Sequence, residues 1–113
     1  MNISIQAQGF ELTEALRAHT LRRVQFSLHW AQRVVKQIQV RLSDINGPKG
    51  GLDKRCHLQI QLSNDSDVSI QDTEGDLYVA IDRAIERGKQ TITRRLDRKR
   101  ARRNTLPTIG AKP

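Results

Sequence analysis

The side chains with the plainest chemistry in this chain are guanidinium and ammonium groups, and they are concentrated in one place. Between Arg83 and Arg103 stand ten Lys or Arg residues and two acids, Glu86 and Asp97. That segment carries the whole formal charge of +8, while the rest of the chain is balanced. A local field of this kind attracts polyanions and steers encounter with them. Clustered Lys and Arg on one element are the electrostatic footprint of nucleic-acid binding. Arg outnumbers Lys eight to two in the segment, which suits bidentate docking on phosphate better than a diffuse ammonium surface.

Other chemistries find less support. Cys56 and His57 are adjacent, but neighbours on a strand point to opposite faces, so they do not make a thiol–imidazole pair. A buried or half-buried free thiol is the expectation for Cys56. His19 is expected at the edge of the core and His29 at the surface. No His, Cys and carboxylate set has metal-ligand spacing. Gly47-Pro48-Lys49-Gly50-Gly51 lacks the spacing and the following helix of a phosphate-binding loop. Asp65 and Asp67 sit in a turn, where carboxylates shape the backbone. No catalytic role, metal or cofactor is therefore expected. The aromatics are few, Phe10, Phe26, Trp30 and Tyr78. That argues against recognition by stacking single-stranded bases and favours phosphate and shape.

The elements that must position these cations can be read from periodicity. Ile3 and Ile5 alternate with polar residues as in a short strand. Thr13 to Trp30 reads as a helix with Thr13 as N-cap. Its face is Leu12, Leu16, Thr20, Val24 and Ser27, only weakly apolar. Three strands follow, around Ile38–Leu42, Leu58–Leu62 and Val68–Gln71, each with one buried and one wet face. Asn46 to Gly51 is expected to be a flexible connection and Asn64 to Asp67 a hairpin turn. The last helix opens near Asp76. Ile81, Ile85, Gly88, Ile92 and Leu96 make its apolar stripe, with Arg83, Arg87, Arg94 and Arg98 on the opposite arc. Gly88 costs about 1 kcal/mol of helix stability against Ala and marks either close packing or a kink. Arg23 falls near the buried side of the first helix, so its stem lies along the sheet edge or its head joins the cationic face.

The order β-α-β-β-β-α predicts an α+β two-layer sandwich, a four-stranded sheet with both helices on one face. The expected organisation is one domain over residues 1–103 and a disordered tail over 104–113. With one cysteine and no apolar run near the length of a membrane span, the chain is expected to be cytoplasmic and not membrane-bound. A basic helix lying on anionic lipid needs a free apolar face, and this stripe is needed by the sheet.

Two motifs carry a family resemblance. Asp76-Leu77-Tyr78-Val79-Ala80-Ile81-Asp82 resembles the opening of the second helix in the ribosome hibernation promoting factor and ribosome-associated inhibitor family. Leu12-Thr13-Glu14-Ala15-Leu16-Arg17 resembles the start of that family's first helix, and Trp30 sits where some members place a Trp. The resemblance covers roughly residues 1 to 100 and agrees with the element order. It is to the short form, since there is no room here for the long form's dimerisation domain. It implies a translation inhibitor that binds the small ribosomal subunit and its ribosomal RNA. Such proteins occupy the channel of messenger and transfer RNA in stationary phase or stress. By position it implies RNA contacts from Arg17 and Arg23 of the first helix and from Arg87, Arg94 and Arg98 of the second. With the basic segment as a whole, the candidate RNA-binding set is Arg17, Arg22, Arg23, Arg83, Arg87, Lys89, Arg94, Arg95, Arg98, Lys99 and Arg102. Leu is common in the family where this chain has Gly88, and Arg where it has Gln90. Inhibitor-type members have a longer, acidic tail, so the acid-free tail here points towards the type that promotes ribosome pairing. A monomer is expected off the ribosome. The alternative reading is a structural ribosomal or general double-stranded-RNA-binding protein.

Overall fold

In a computed structural model, residues 1–45 and 53–111 are described, with side chains of the last helix described to Arg102. The elements are β1 (Asn2–Gln8), α1 (Glu14–Leu28), β2 (Val35–Asp44), β3 (Lys54–Leu62), β4 (Val68–Glu74) and α2 (Leu77–Ala111). A 3-10 turn, His29–Ala31, follows α1 directly. The connection expected over Asn46–Gly51 lies outside the described residues.

The sheet runs β1-β2-β3-β4 in space. β1 pairs parallel with β2 through the α1 crossover, and the other two pairings are antiparallel. Period-two alternation decides the faces. Ile38, Val40, Leu42, Leu58, Ile60, Val68 and Ile70 are buried, whereas Gln39, Arg41, Gln61 and Ser69 are exposed on the other side. Leu16, Val24 and Leu28 of α1 and Ala80, Ile81, Ala84, Ile85 and Ile92 of α2 complete the core. The expected α+β sandwich is what forms.

Local chemistry explains the helix boundaries. Thr13 Oγ1 accepts from the Leu16 N–H at 3.2 Å, satisfying a free donor of the first turn of α1. One of the polar residues on its inner face is satisfied within the helix. Thr20 is fully buried, and its hydroxyl donates to the Leu16 carbonyl at 2.8 Å. Asp76 Oδ1 accepts from the Tyr78 N–H at 2.7 Å at the start of α2, the N-terminal carboxylate that the sequence suggests.

Two points differ from or decide the sequence reading. Gly88 is a close-packing residue. A Cβ there would stand 2.9 Å from Leu58 Cδ2 and 3.1 Å from Ile60 Cδ1, so the missing side chain lets α2 lie down on β3. The helix also outruns its expected end at Arg103: the backbone is helical to Ala111, through Pro107 and Gly110.

Candidate nucleic-acid interface

Helix α2 runs antiparallel to β4, and this fixes what stands beside each cation. Arg83 Nε lies 3.6 Å from Glu74 Oε2, and an Arg87 Nη lies 3.9 Å from Asp72 Oδ2. The same Arg87 nitrogen donates to the Gln71 carbonyl at 2.9 Å. Further along, Arg95 donates to the Ser66 carbonyl at 2.5 Å and stands 3.6 Å from Asp65 Oδ1. Lys99 reaches the Asn64 carbonyl at 3.3 Å and Asp65 Oδ2 at 3.5 Å. These four residues clasp α2 to β4 and to the β3–β4 turn, where Asn64 takes a positive φ of 60°.

The carboxylates of this clasp are tuned by their neighbours. The Ser66 backbone N–H, and then Lys99 and Arg95, hold the Asp65 carboxyl below its usual range. Asp72 and Glu74 point the same way from β4. A hydrogen bond to Asp72 raises the Glu74 carboxyl above its usual range, with Arg83 opposing. Asp72 is only 13% exposed, so Arg87 compensates a carboxylate that has lost much of its water.

Arg94, Arg98 and Arg102 are different. They are exposed, and none has an ion pair or side-chain hydrogen bond among the described residues. Arg98 and Arg102 join Arg95 and Lys99 around an open groove of about 260 Å³ beside Asp65 and Ser66. So the predicted stripe of Arg83, Arg87, Arg94 and Arg98 is one face by angle and two groups by engagement.

On the first helix, Arg23 neither follows the sheet edge nor stands free. Its Nε lies 3.2 Å from Asp82 Oδ1 on α2, without hydrogen-bond alignment, so charge attraction alone links them. His19 Nε2 meets the same oxygen at 2.8 Å, and its ring stands edge-on to Tyr78 at 4.8 Å. Arg22 is exposed. Arg17 is also exposed and lies roughly 160° round α1 from His19, on the flank away from α2. The candidate cations therefore form no single patch. Arg23 belongs to the seam between the helices, and Arg17 lies beyond it.

Cys56 and His57 part as strand geometry requires. Cys56 is fully buried, and burial, reinforced by Asp72, pushes its thiol up to about 12. His57 faces the polar side of the sheet, 2.9 Å from Ser69 Oγ. Among the described residues no group of His, Cys and carboxylates could hold a metal ion, and no helix is long and apolar enough to cross a membrane.

Two exposed rings escape the sequence reading. Phe26 is 81% exposed and Trp30 48% exposed. Phe26 stands on α1, off the face of Leu16, Thr20 and Val24, and Trp30 follows four residues later in the 3-10 turn. That off-stripe i, i+4 spacing is the signal that could have found them. Trp30 lines a groove with Lys89, Thr93, Leu96, Asp97 and Arg100 of α2.

A βαβββα sandwich with a cation-rich second helix defines a small basic α+β domain. Residues 3–100 match the family model for sigma 54 modulation protein / S30EA ribosomal protein, and the chain belongs to that family. This is the hibernation-factor kinship suggested by the two helix-opening motifs, a family of ribosome-associated modulation factors. The N-terminal domain of Protein Y from Thermus thermophilus is similar at 27% identity and a TM-score of 0.67, over 83% of this chain and 98% of that one. A ribosomal subunit interface protein from Coxiella burnetii shares the fold at 21% identity and a TM-score of 0.71, over 86% of this chain and 99% of that one. No curated protein matches the sequence.

Proposed function

We propose that this protein binds the small ribosomal subunit through its ribosomal RNA and inhibits translation in stationary phase or stress by filling the channel of messenger and transfer RNA. The observation that carries the reading is the exposed, unengaged set Arg94, Arg98 and Arg102 at the far end of α2, on a member of a ribosome-associated family. Its guanidinium groups face water and are available to replace counterions on phosphate. Arg17 and Arg22 add exposed charge from α1, and Lys89 from the helix seam. Arg83, Arg87, Arg95 and Lys99 support the interface by fixing α2, and their exposed atoms contribute a weaker field. The protein acts by occupancy, as a cytoplasmic monomer when off the ribosome.

Sedimentation through sucrose gradients tests this directly. The protein should ride on small subunits and whole ribosomes in starved cells and be scarce there in growing cells. A structural ribosomal protein would co-sediment at all times. In a salt series, contact with about five phosphates gives a log–log slope of roughly −3 to −5. A flat response, or binding confined to the large subunit, would overturn the assignment.

A further inference from the structure

The groove between the 3-10 turn and α2 has a composition the phosphate reading does not use. Its wall is the Trp30 ring, its floor includes the half-buried Leu96, and its rim carries Lys89 and Arg100. The polar groups of the floor are already committed. Trp30 Nε1–H donates to the Ser27 carbonyl at 2.7 Å, and the Thr93 hydroxyl donates to the Lys89 carbonyl at 2.8 Å. The indole is therefore held in orientation, and what it presents is π surface. One turn earlier Phe26 stands out from the surface with the Arg23 guanidinium 6.0 Å from its ring centre. The groove measures about 310 Å³, at the lower end of the range for small-ligand sites. That is room for one base and its sugar.

We infer that Trp30 is a stacking platform for an unpaired RNA base whose flanking phosphates are held by Lys89 and Arg100, with Phe26 as a secondary ring. The inference rests on the proposed RNA-binding function. Charge decides the class of partner: the rim has two cations against the single acid Asp97, whose carboxylate lies 3.9 Å from Arg100. A flat apolar wall under a cationic rim complements a base joined to phosphate. Because the indole donor is spent, the contact reads a π face and tolerates any base. The scarcity of aromatics argues against an extended stacking surface, and one ring set beside two cations makes a local one.

The single tryptophan makes the test direct, since all indole fluorescence comes from this site. Wild-type protein is titrated with a single-stranded oligoribonucleotide, a blunt RNA duplex, inorganic polyphosphate and whole ribosomes. The single strand should quench Trp30 saturably, and polyphosphate should bind with little quenching. Trp30→Ala should lower affinity for the single strand about tenfold and leave polyphosphate affinity unchanged; Trp30→Phe should restore most of the loss. Phe26→Ala, at an exposed position, should give a smaller loss at an unchanged melting temperature. Equal quenching by polyphosphate and RNA would overturn the inference. So would unaltered RNA affinity in a folded Trp30→Ala variant. Quenching by ribosomes but not by naked ribosomal RNA would assign the groove to a protein and overturn it too. If ribosomes bind with Trp30 emission unchanged, the stacking site fails while the ribosomal reading stands. If single-stranded RNA quenches but ribosomes do not bind, the reverse holds.

Discussion

Two groups of cations alternate along α2, and they differ in what lies beneath them. Arg83, Arg87, Arg95 and Lys99 reach across to Glu74, Asp72, Asp65 and the carbonyls of the β4 edge and its turn. Arg94, Arg98 and Arg102 extend into water. Both groups count equally in the net charge. The first spends much of its field on carboxylates at the sheet edge, whereas the second is available to a polyanion. The comparison shows that a cationic helix face is not uniform. Acids on a neighbouring strand divide it into a part that positions the helix and a part that can bind.

The largest expected effect belongs to the floor common to both groups. Ile92 is almost fully buried, so Ile92→Ala removes core atoms and leaves a cavity worth about 2–5 kcal/mol of stability. Chemical denaturation should show that loss, while RNA affinity of the fraction still folded stays near wild type. If affinity falls without a change in stability, the inner face of α2 would itself be part of the interface and the division would fail.

A paired experiment addresses the two groups themselves. Arg94→Ala with Arg98→Ala should reduce ribosome affinity by about tenfold or more and make the salt slope shallower by roughly two contacts. Its melting temperature should stay unchanged, because exposed unpaired charges contribute little to stability. Arg83→Ala with Arg87→Ala should show the opposite balance. Its loss of affinity should be smaller, and its stability should drop by up to about 1 kcal/mol. That value is discounted because Arg87 is itself 54% exposed. Equal losses of affinity in the two doubles, with neither destabilised, would erase the distinction.

The sequence shows this interface only in part, and the reasons are physical. The order of elements along the chain, the Thr13 and Asp76 caps and the inward residues of α2 follow from local periodicity and capping, which a chain displays residue by residue. The fate of Arg87 does not. It depends on Asp72 lying beneath it, a pairing set by how α2 descends over β4, fifteen residues away in the chain. The role of Gly88 was legible as a choice between packing and kink, and only the approach of Leu58 and Ile60 decides it. Trp30 and Phe26 were counted among too few aromatics to matter. The importance of Trp30 comes from standing beside Lys89 and Arg100 on another helix. The helical backbone beyond Arg103 went unread because Pro107 and Gly110 weigh against it locally, and propensity is a cost that a long helix can carry.

The smallest expected effect is the sharpest test of how the acids divide the face. Glu74→Gln removes one carboxylate facing Arg83 while keeping the shape and hydrogen-bonding capacity of the side chain. If the clasp masks charge, Arg83 should become available and polyphosphate affinity should rise about twofold, with a steeper salt dependence. Stability should not suffer. The Glu74 carboxyl is raised by its hydrogen bond to Asp72, so the folded protein holds that proton more tightly than the unfolded chain. A group shifted in this direction contributes stability that is fully present below its unfolded pKa and is lost as pH rises through its folded pKa. At neutral pH the ionised form has already forfeited that contribution, and Gln has nothing to lose there. Melting temperature at pH 7 should therefore be no lower than wild type, and the gain that wild type makes as pH falls through the raised Glu74 pKa should be absent in the variant. A Glu74→Gln protein that melts lower at pH 7 and binds polyphosphate no better would mean that Glu74 stabilises α2 through Arg83 and masks nothing.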